Sequence, residues 1–227
     1  MSGTLNILLM ILILIIPIVA QIGIMRSYGK YKKVENSRNL SGFEVARKVL
    51  DANGLQDVYV VETPGNLTDH YDPTRKVVKL STDIFNGTTI AAASVAAHEC
   101  GHAIQDKENY TFMRIRSSLV PVVNLVSNFS WIVIMIGFLA QSLNLFTLGI
   151  ALIAIGLLFQ IVTLPVEFNA SSRAKAELNK LNLVGADEET GVAKMLSSAA
   201  MTYVASVLTS ILEIVRLILV FTSNNDE

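Results

Sequence analysis

The sequence predicts an α+β membrane protein, mostly helical, with three or four transmembrane helices and a small water-facing domain that contains a short β-sheet. Three observations lead there. Of the 227 residues 52% are hydrophobic, and they are gathered in long uncharged blocks, which is the pattern of membrane spans. Between the blocks lie stretches of ordinary soluble character, with capping signals, turn residues and β-branched runs. Lysine and arginine cluster in some connecting segments and are absent from others.

The first element is "TLNILLMILILIIPIVAQIGIM", a span over residues 4–25. Ile18 and Ala20 stand where small residues precede a leader-cleavage site, but no positive segment comes before the run. Arg26, Lys30, Lys32 and Lys33 follow it at once and resist translocation, so it reads as a retained anchor. Residues 26–118 read as the first part of the water-facing domain. In it "SGFEVARKVLDANG" is an amphipathic helix, with Ser41 as N-cap, Glu44 as capping-box partner, Phe43, Ala46 and Leu50 facing a core, and Gly54 as the stop. "VYVVET" reads as a strand ended by "PGN", and "RKVVKLS" as a second strand after the turn-like "YDPT". Lys76, Val78 and Leu80 alternate with Val77 and Lys79, which leaves one face less apolar than a central strand shows. An edge strand open to an extended peptide is the expectation there. An alanine-rich helix follows from Thr88 to about Lys107.

Residues 119–140 and 144–166 are a second and third span, joined by "QSLN", which has room only for a hairpin turn. Residues 167–198 return to polar helical character and form the second part of the domain. Residues 199–221 are a fourth apolar stretch, transmembrane or packed on the membrane, in which Glu213 and Arg216 stand three apart and can neutralise each other or face a polar interior.

Charge placement orients the chain. Basic residues follow the first span, precede the second (Arg114, Arg116) and follow the third (Arg173, Lys175, Lys180), whereas "QSLN" and the tail "TSNNDE" have none. The positive-inside rule then puts both water-facing segments in the cytoplasm and the N-terminus and hairpin outside, in a multi-pass cell-membrane protein. The net charge of -1 and the lack of a basic stretch with interleaved aromatics exclude nucleic acid as a partner. Cys100 is the lone cysteine, which excludes an intramolecular disulfide and fits a cytosol-facing site.

Chemistry is concentrated in "VAAHECGHAIQ". His98 and His102 lie four apart, so on a helix their imidazoles share a face and can converge on one ion. Zinc suits two neutral imidazoles and a carboxylate, with a fourth position left for water. Glu99, beside the first ligand, is placed to act on that water as general base and then to protonate a leaving amine. Cys100 lies on another face and reads as a small packed residue. Glu167 is the candidate third ligand, because it emerges where the third span ends on the motif's side of the membrane, and no other carboxylate occurs after Tyr110 before it. The fold around such a motif is zincin-like.

"AAHECGHAIQ", "LTDHYDP" and "LPVEFNASSRA", in this order with a membrane hairpin between the last two, resemble the YugP-type neutral zinc metallopeptidases of bacterial membranes. The resemblance covers nearly the whole chain and implies a membrane-embedded zinc endopeptidase acting on a polypeptide, membrane-borne or unfolded, at the bilayer's cytoplasmic face. The layout is also similar to HtpX-type and CAAX-processing proteases, which carry an aspartate four residues after the glutamate, where this chain has Ser171. Either Asn169 or Ser171 is then the candidate to hold a metal ligand by hydrogen bonding. By resemblance "LTDHYDP" belongs to the site region. A hydrolase needs a donor for the developing oxyanion, and His70, Tyr71 and Arg173 are the candidates, His70 first. The competing reading is a catalytically silent zinc-binding membrane scaffold. A structural zinc site normally closes with four protein ligands, and the sequence offers no fourth.

Overall fold

The computed structural model describes residues 3–225. In chain order the described elements are α1 (Gly3–Tyr31), α2 (Gly42–Ala52), β1 (Tyr59–Thr63), β2 (His70–Asp72), β3 (Val77–Ser81), α3 (Thr82–Asn86), α4 (Ile90–Lys107), α5 (Thr111–Leu139), α6 (Leu143–Lys180) and α7 (Glu189–Asn225). The chain is thus a mostly helical α+β membrane protein, and α1, α5, α6 and α7 are each long and apolar enough to cross a bilayer. The polar segment from Glu189 and the fourth apolar stretch form one continuous helix, α7.

Two compact units divide the chain. One comprises Ile22–Met113 and Pro165–Met201, and holds the small sheet. Its centre is α4, where Ala91, Ala92, Ala93, Ala96, Ala97, Cys100 and Ala103 are fully buried. Small side chains on several faces let α2, α3 and the sheet all pack closely against this helix. On α2 the capping box forms as expected, with the Ser41 side chain accepting from the Glu44 N–H and the Glu44 carboxylate accepting from the Ser41 N–H. Gly54 ends that turn at φ +67°, the left-handed region where a Cβ is disfavoured. The buried face of α2 is made by Val45, Ala46, Val49 and Leu50. Phe43, expected in the core, lies instead on the exposed side with its ring 5.0 Å from that of Phe85. The valines fill the interior because they share the helical face of Ala46 and Leu50.

Strand order is β1-β3-β2, with β1 parallel and β2 antiparallel to β3. This corrects the edge-strand expectation for "RKVVKLS". β3 is central and paired on both sides, with Val77, Val78, Leu80 and Ser81 buried. Lys76, counted in that alternation, precedes the strand at φ +53°, so the alternation spans a turn as well as the strand. The edges are β1 and β2; β2 overlaps the segment read as turn-like, and its Tyr71 pairs with Val78 of β3.

The other unit comprises the described residues up to Gln21, Arg114–Leu164 and those from Thr202 onward. Large apolar side chains such as Leu14, Leu125 and Met135 point outward, as lipid contact requires. Inside, the rings of Phe146 and Phe221 stack at 4.0 Å. Arg216 lies 3.3 Å from Glu213 and donates from Nε to Asn6 Oδ1 at 3.0 Å, so the two charges of α7 neutralise each other. Glu213, Ser130, Thr209, Ser210 and Gln160 contribute to the lining of a cavity of about 490 Å³ in this unit.

Candidate metal centre

Thr89 opens α4 by accepting from the Ala92 N–H, and the helix then runs unbroken through the motif. His98 and His102 are one turn apart, their ring centroids separated by 4.8 Å. Their third neighbour comes from α6. An ideal Cβ on Gly101 would lie 2.6 Å from the Ala170 carbonyl oxygen, so glycine is what permits α4 and α6 to touch there. Glu167 sits almost one turn before Ala170, and its Oε2 lies 3.3 Å from His98 Nε2 and 3.7 Å from His102 Nε2. Among the described residues these three form one group of candidate metal donors, all within 4.8 Å of one another.

The far side of each imidazole is also engaged. His102 Nδ1 lies 3.0 Å from Gln105 Oε1, and His98 Nδ1 lies 3.2 Å from Ser171 Oγ. Gln105 in turn donates from Nε2 to the Val166 carbonyl at 2.8 Å and to Asn169 Oδ1 at 2.9 Å. Asn169 Oδ1 also accepts from Arg173 Nε at 2.7 Å, and the Arg173 guanidinium meets Glu108 at 2.6 Å. The alternative between Asn169 and Ser171 therefore resolves into two different positions. Ser171 reaches His98 directly, and Asn169 reaches His102 through Gln105, a residue without a role in the sequence-based expectations. Its signal was the i,i+3 spacing from His102, which puts both on one face.

The donor set fits a zinc ion. A carboxylate oxygen and two imidazole Nε2 atoms converge from two helices, while both Nδ1 atoms are held by outer hydrogen bonds, as zinc-binding histidines require. Such a cluster of electron-pair donors calls for a cation, or for extra protons, between its members.

Glu99 is buried beside this group. Burial pushes its carboxyl up to about 7, His98 pulls the other way, and Glu167 and Asp69 add to the rise. The Tyr71 backbone N–H of β2, which packs against the motif helix, favours the charged form of Glu99 and so lowers its carboxyl. Tyr71 turns its side chain inward, and its hydroxyl donates to Asp106 Oδ2 at 2.9 Å. Its neighbour His70 is exposed, with Nδ1 donating to the Thr68 carbonyl at 2.8 Å, and it is not part of the three-residue group. Arg173 is engaged by Asn169 and Glu108. Cys100 is fully buried with Sγ 3.5 Å from the Ala46 carbonyl oxygen, the small packed residue expected.

Fold and site together define a class: membrane proteins in which an HExxH helix and a glutamate from a second helix frame a candidate metal centre. Over residues 6–222 the chain matches the family described as "Putative neutral zinc metallopeptidase", and it belongs to that family. It is also 48% identical over 208 residues, 92% of either chain, to the "Putative membrane protease YugP" of Bacillus subtilis (strain 168). No solved structure matches it.

Proposed function

We propose that this chain is a membrane-embedded zinc-dependent endopeptidase, with His98, His102 and Glu167 as metal ligands and Glu99 as general base. The observation that carries the reading is the pairing of a convergent three-donor group with a buried carboxylate on the adjacent residue. Zinc at that group would supply the positive charge that polarises a peptide carbonyl and makes water nucleophilic near neutral pH. Glu99 takes up the proton released in the attack and gives it to the leaving amine, a role suited to a carboxyl that burial keeps near neutrality. The negative charges of Glu167 and Asp69 nearby help to keep a proton on it, and the Tyr71 backbone N–H offsets part of that rise.

The substrate is a polypeptide, membrane-borne or unfolded, presented as an extended strand. β2 replaces β3 as the candidate template, since β2 is the sheet edge that packs against the motif helix. His70, exposed on this strand, remains the candidate oxyanion donor; with its Nδ1 hydrogen given to the Thr68 carbonyl, it would donate from Nε2 only with both ring nitrogens protonated. The water-facing unit is assigned to the cytoplasm on the lysine and arginine asymmetry.

The test separates enzyme from silent scaffold. Glu99→Gln is expected to keep about one zinc per chain and to lose hydrolysis by a factor of at least ~10². Glu167→Ala is expected to lose metal as severely as either histidine variant. Equal zinc content in wild type and Glu167→Ala overturns the ligand assignment, and full hydrolysis by Glu99→Gln overturns the mechanism.

A further inference from the structure

We infer that Gln105 is a positioning residue that presets His102 for metal before any metal arrives, that Arg173 steadies Gln105 through Asn169, and that His98 has no equivalent preset. The inference rests on the zinc reading above and goes beyond it to the order in which the two imidazoles are made ready.

The chain of reasoning starts from groups that can play one part only. The Val166 carbonyl accepts and never donates, so the Gln105 atom 2.8 Å away is the amide nitrogen. Arg173 donates and never accepts, so the Asn169 atom 2.7 Å from its Nε is the oxygen. That oxygen, 2.9 Å from the same Gln105 nitrogen, demands a donor there a second time. Gln105 Oε1 is consequently the atom that faces His102 Nδ1 at 3.0 Å, and an amide oxygen only accepts. His102 must carry its hydrogen on Nδ1, which leaves the Nε2 electron pair directed to the Glu167 side. Gln105 is fully buried, so water is not there to relax the constraint.

His98 differs because its outer partner is a hydroxyl. Ser171 Oγ both donates and accepts, and therefore allows either tautomer. The Glu167 carboxylate 3.3 Å from His98 Nε2 favours a hydrogen on that nitrogen while metal is absent. His102 is thus the prepared ligand and His98 the one whose tautomer changes as zinc enters. The serine that stands where related layouts have an aspartate is what leaves His98 free to do so.

Three histidines in the chain make this directly readable, because each gives its own imidazole nitrogen signals. Full-length protein labelled with ¹⁵N-histidine is stripped of metal in detergent and its tautomers are read from long-range ¹H–¹⁵N couplings. Single His→Gln variants assign the signals. The expected result is His102 in the Nδ1–H form and His98 in the Nε2–H form or a mixture, with His98 moving to Nδ1–H on adding zinc. Gln105→Leu should release the His102 tautomer and leave His98 unchanged, and lower zinc affinity by chelator competition about 10- to 100-fold. Arg173→Gln, at a partly exposed position, should shift His102 the same way by a smaller amount. Metal-free wild type with His102 in the Nε2–H form overturns the inference. So does a His102 spectrum and zinc affinity indifferent to both variants. A wild-type chain that takes up no zinc defeats the underlying metal reading instead, and the competition titration shows this separately from the tautomer spectrum.

Discussion

At the residue scale, Gly101 decides whether two correct ligand sets meet. HExxH chemistry does not require glycine at the fourth position, but the approach of α4 to α6 does, because an alanine Cβ would stand 2.6 Å from the Ala170 carbonyl oxygen and 3.1 Å from its Cα. Both obstacles are backbone, so a neighbouring rotamer cannot relieve them. Gly101→Ala is expected to cost roughly 1–3 kcal/mol in overpacking and to weaken zinc binding although all three ligands remain. Cys100→Ala, one residue away and directed at Ala46, should leave zinc affinity unchanged. Thermal melts with and without chelator measure both. The grouping of His98 with His102 was legible because the helix period restricts their spacing, and that of Glu167 because it is the first carboxylate after Tyr110 and emerges where the third span ends. Gly101 was not, since its role depends on which segment crosses α4; the i,i+3 spacing of Gln105 from His102 shows their shared face but not the Val166 carbonyl and Asn169 that fix its amide.

At the scale of elements, the sheet shows why alternation is a poor guide to strand position in a segment this short. The alternation of Lys76, Val78 and Leu80 with Val77 and Lys79 suggested one less apolar face on the second strand, yet Lys76 lies outside β3 and Lys79 is half-buried between strands on both sides. The short edge strand β2 has only three residues, too few to display a period, and its Asp72-Pro73 sequence reads as a turn. Helices fared better because the cap of α2 and the apolar length of α1, α5 and α6 are local properties. The central place of β3 changes the expected outcome of proline substitution. Val78 is fully buried and paired with Val60 on one side and Tyr71 on the other. Val78→Pro removes a ladder donor from a strand with no free side. Thermal stability and zinc content should therefore fall together, without the selective loss of peptide cleavage that an edge strand would give. A variant that keeps its zinc and its melting temperature would return β3 to candidacy as substrate template.

At the scale of the whole molecule, the open question is which side of the bilayer receives the candidate metal centre. Four helices have the length and apolarity to cross, and an even number of crossings puts both chain ends on one side. The basic residues then choose the side. Arg26, Lys30, Lys32 and Lys33 follow the first span, Arg114 and Arg116 precede the second, and Arg173, Lys175 and Lys180 follow the third, whereas "QSLN" and the tail beyond Phe221 carry no positive charge. All these segments favour the same orientation, and Glu213 does not weigh against it because Arg216 neutralises it within α7. Cysteine labelling tests this in intact cells once the native thiol is removed as Cys100→Ala. Lys33→Cys should be shielded from an impermeant thiol reagent and become reactive on permeabilisation, while Ser142→Cys in the hairpin should react from outside. Labelling of Lys33→Cys in sealed cells, with Ser142→Cys protected, would reverse the topology and turn the candidate metal centre outward.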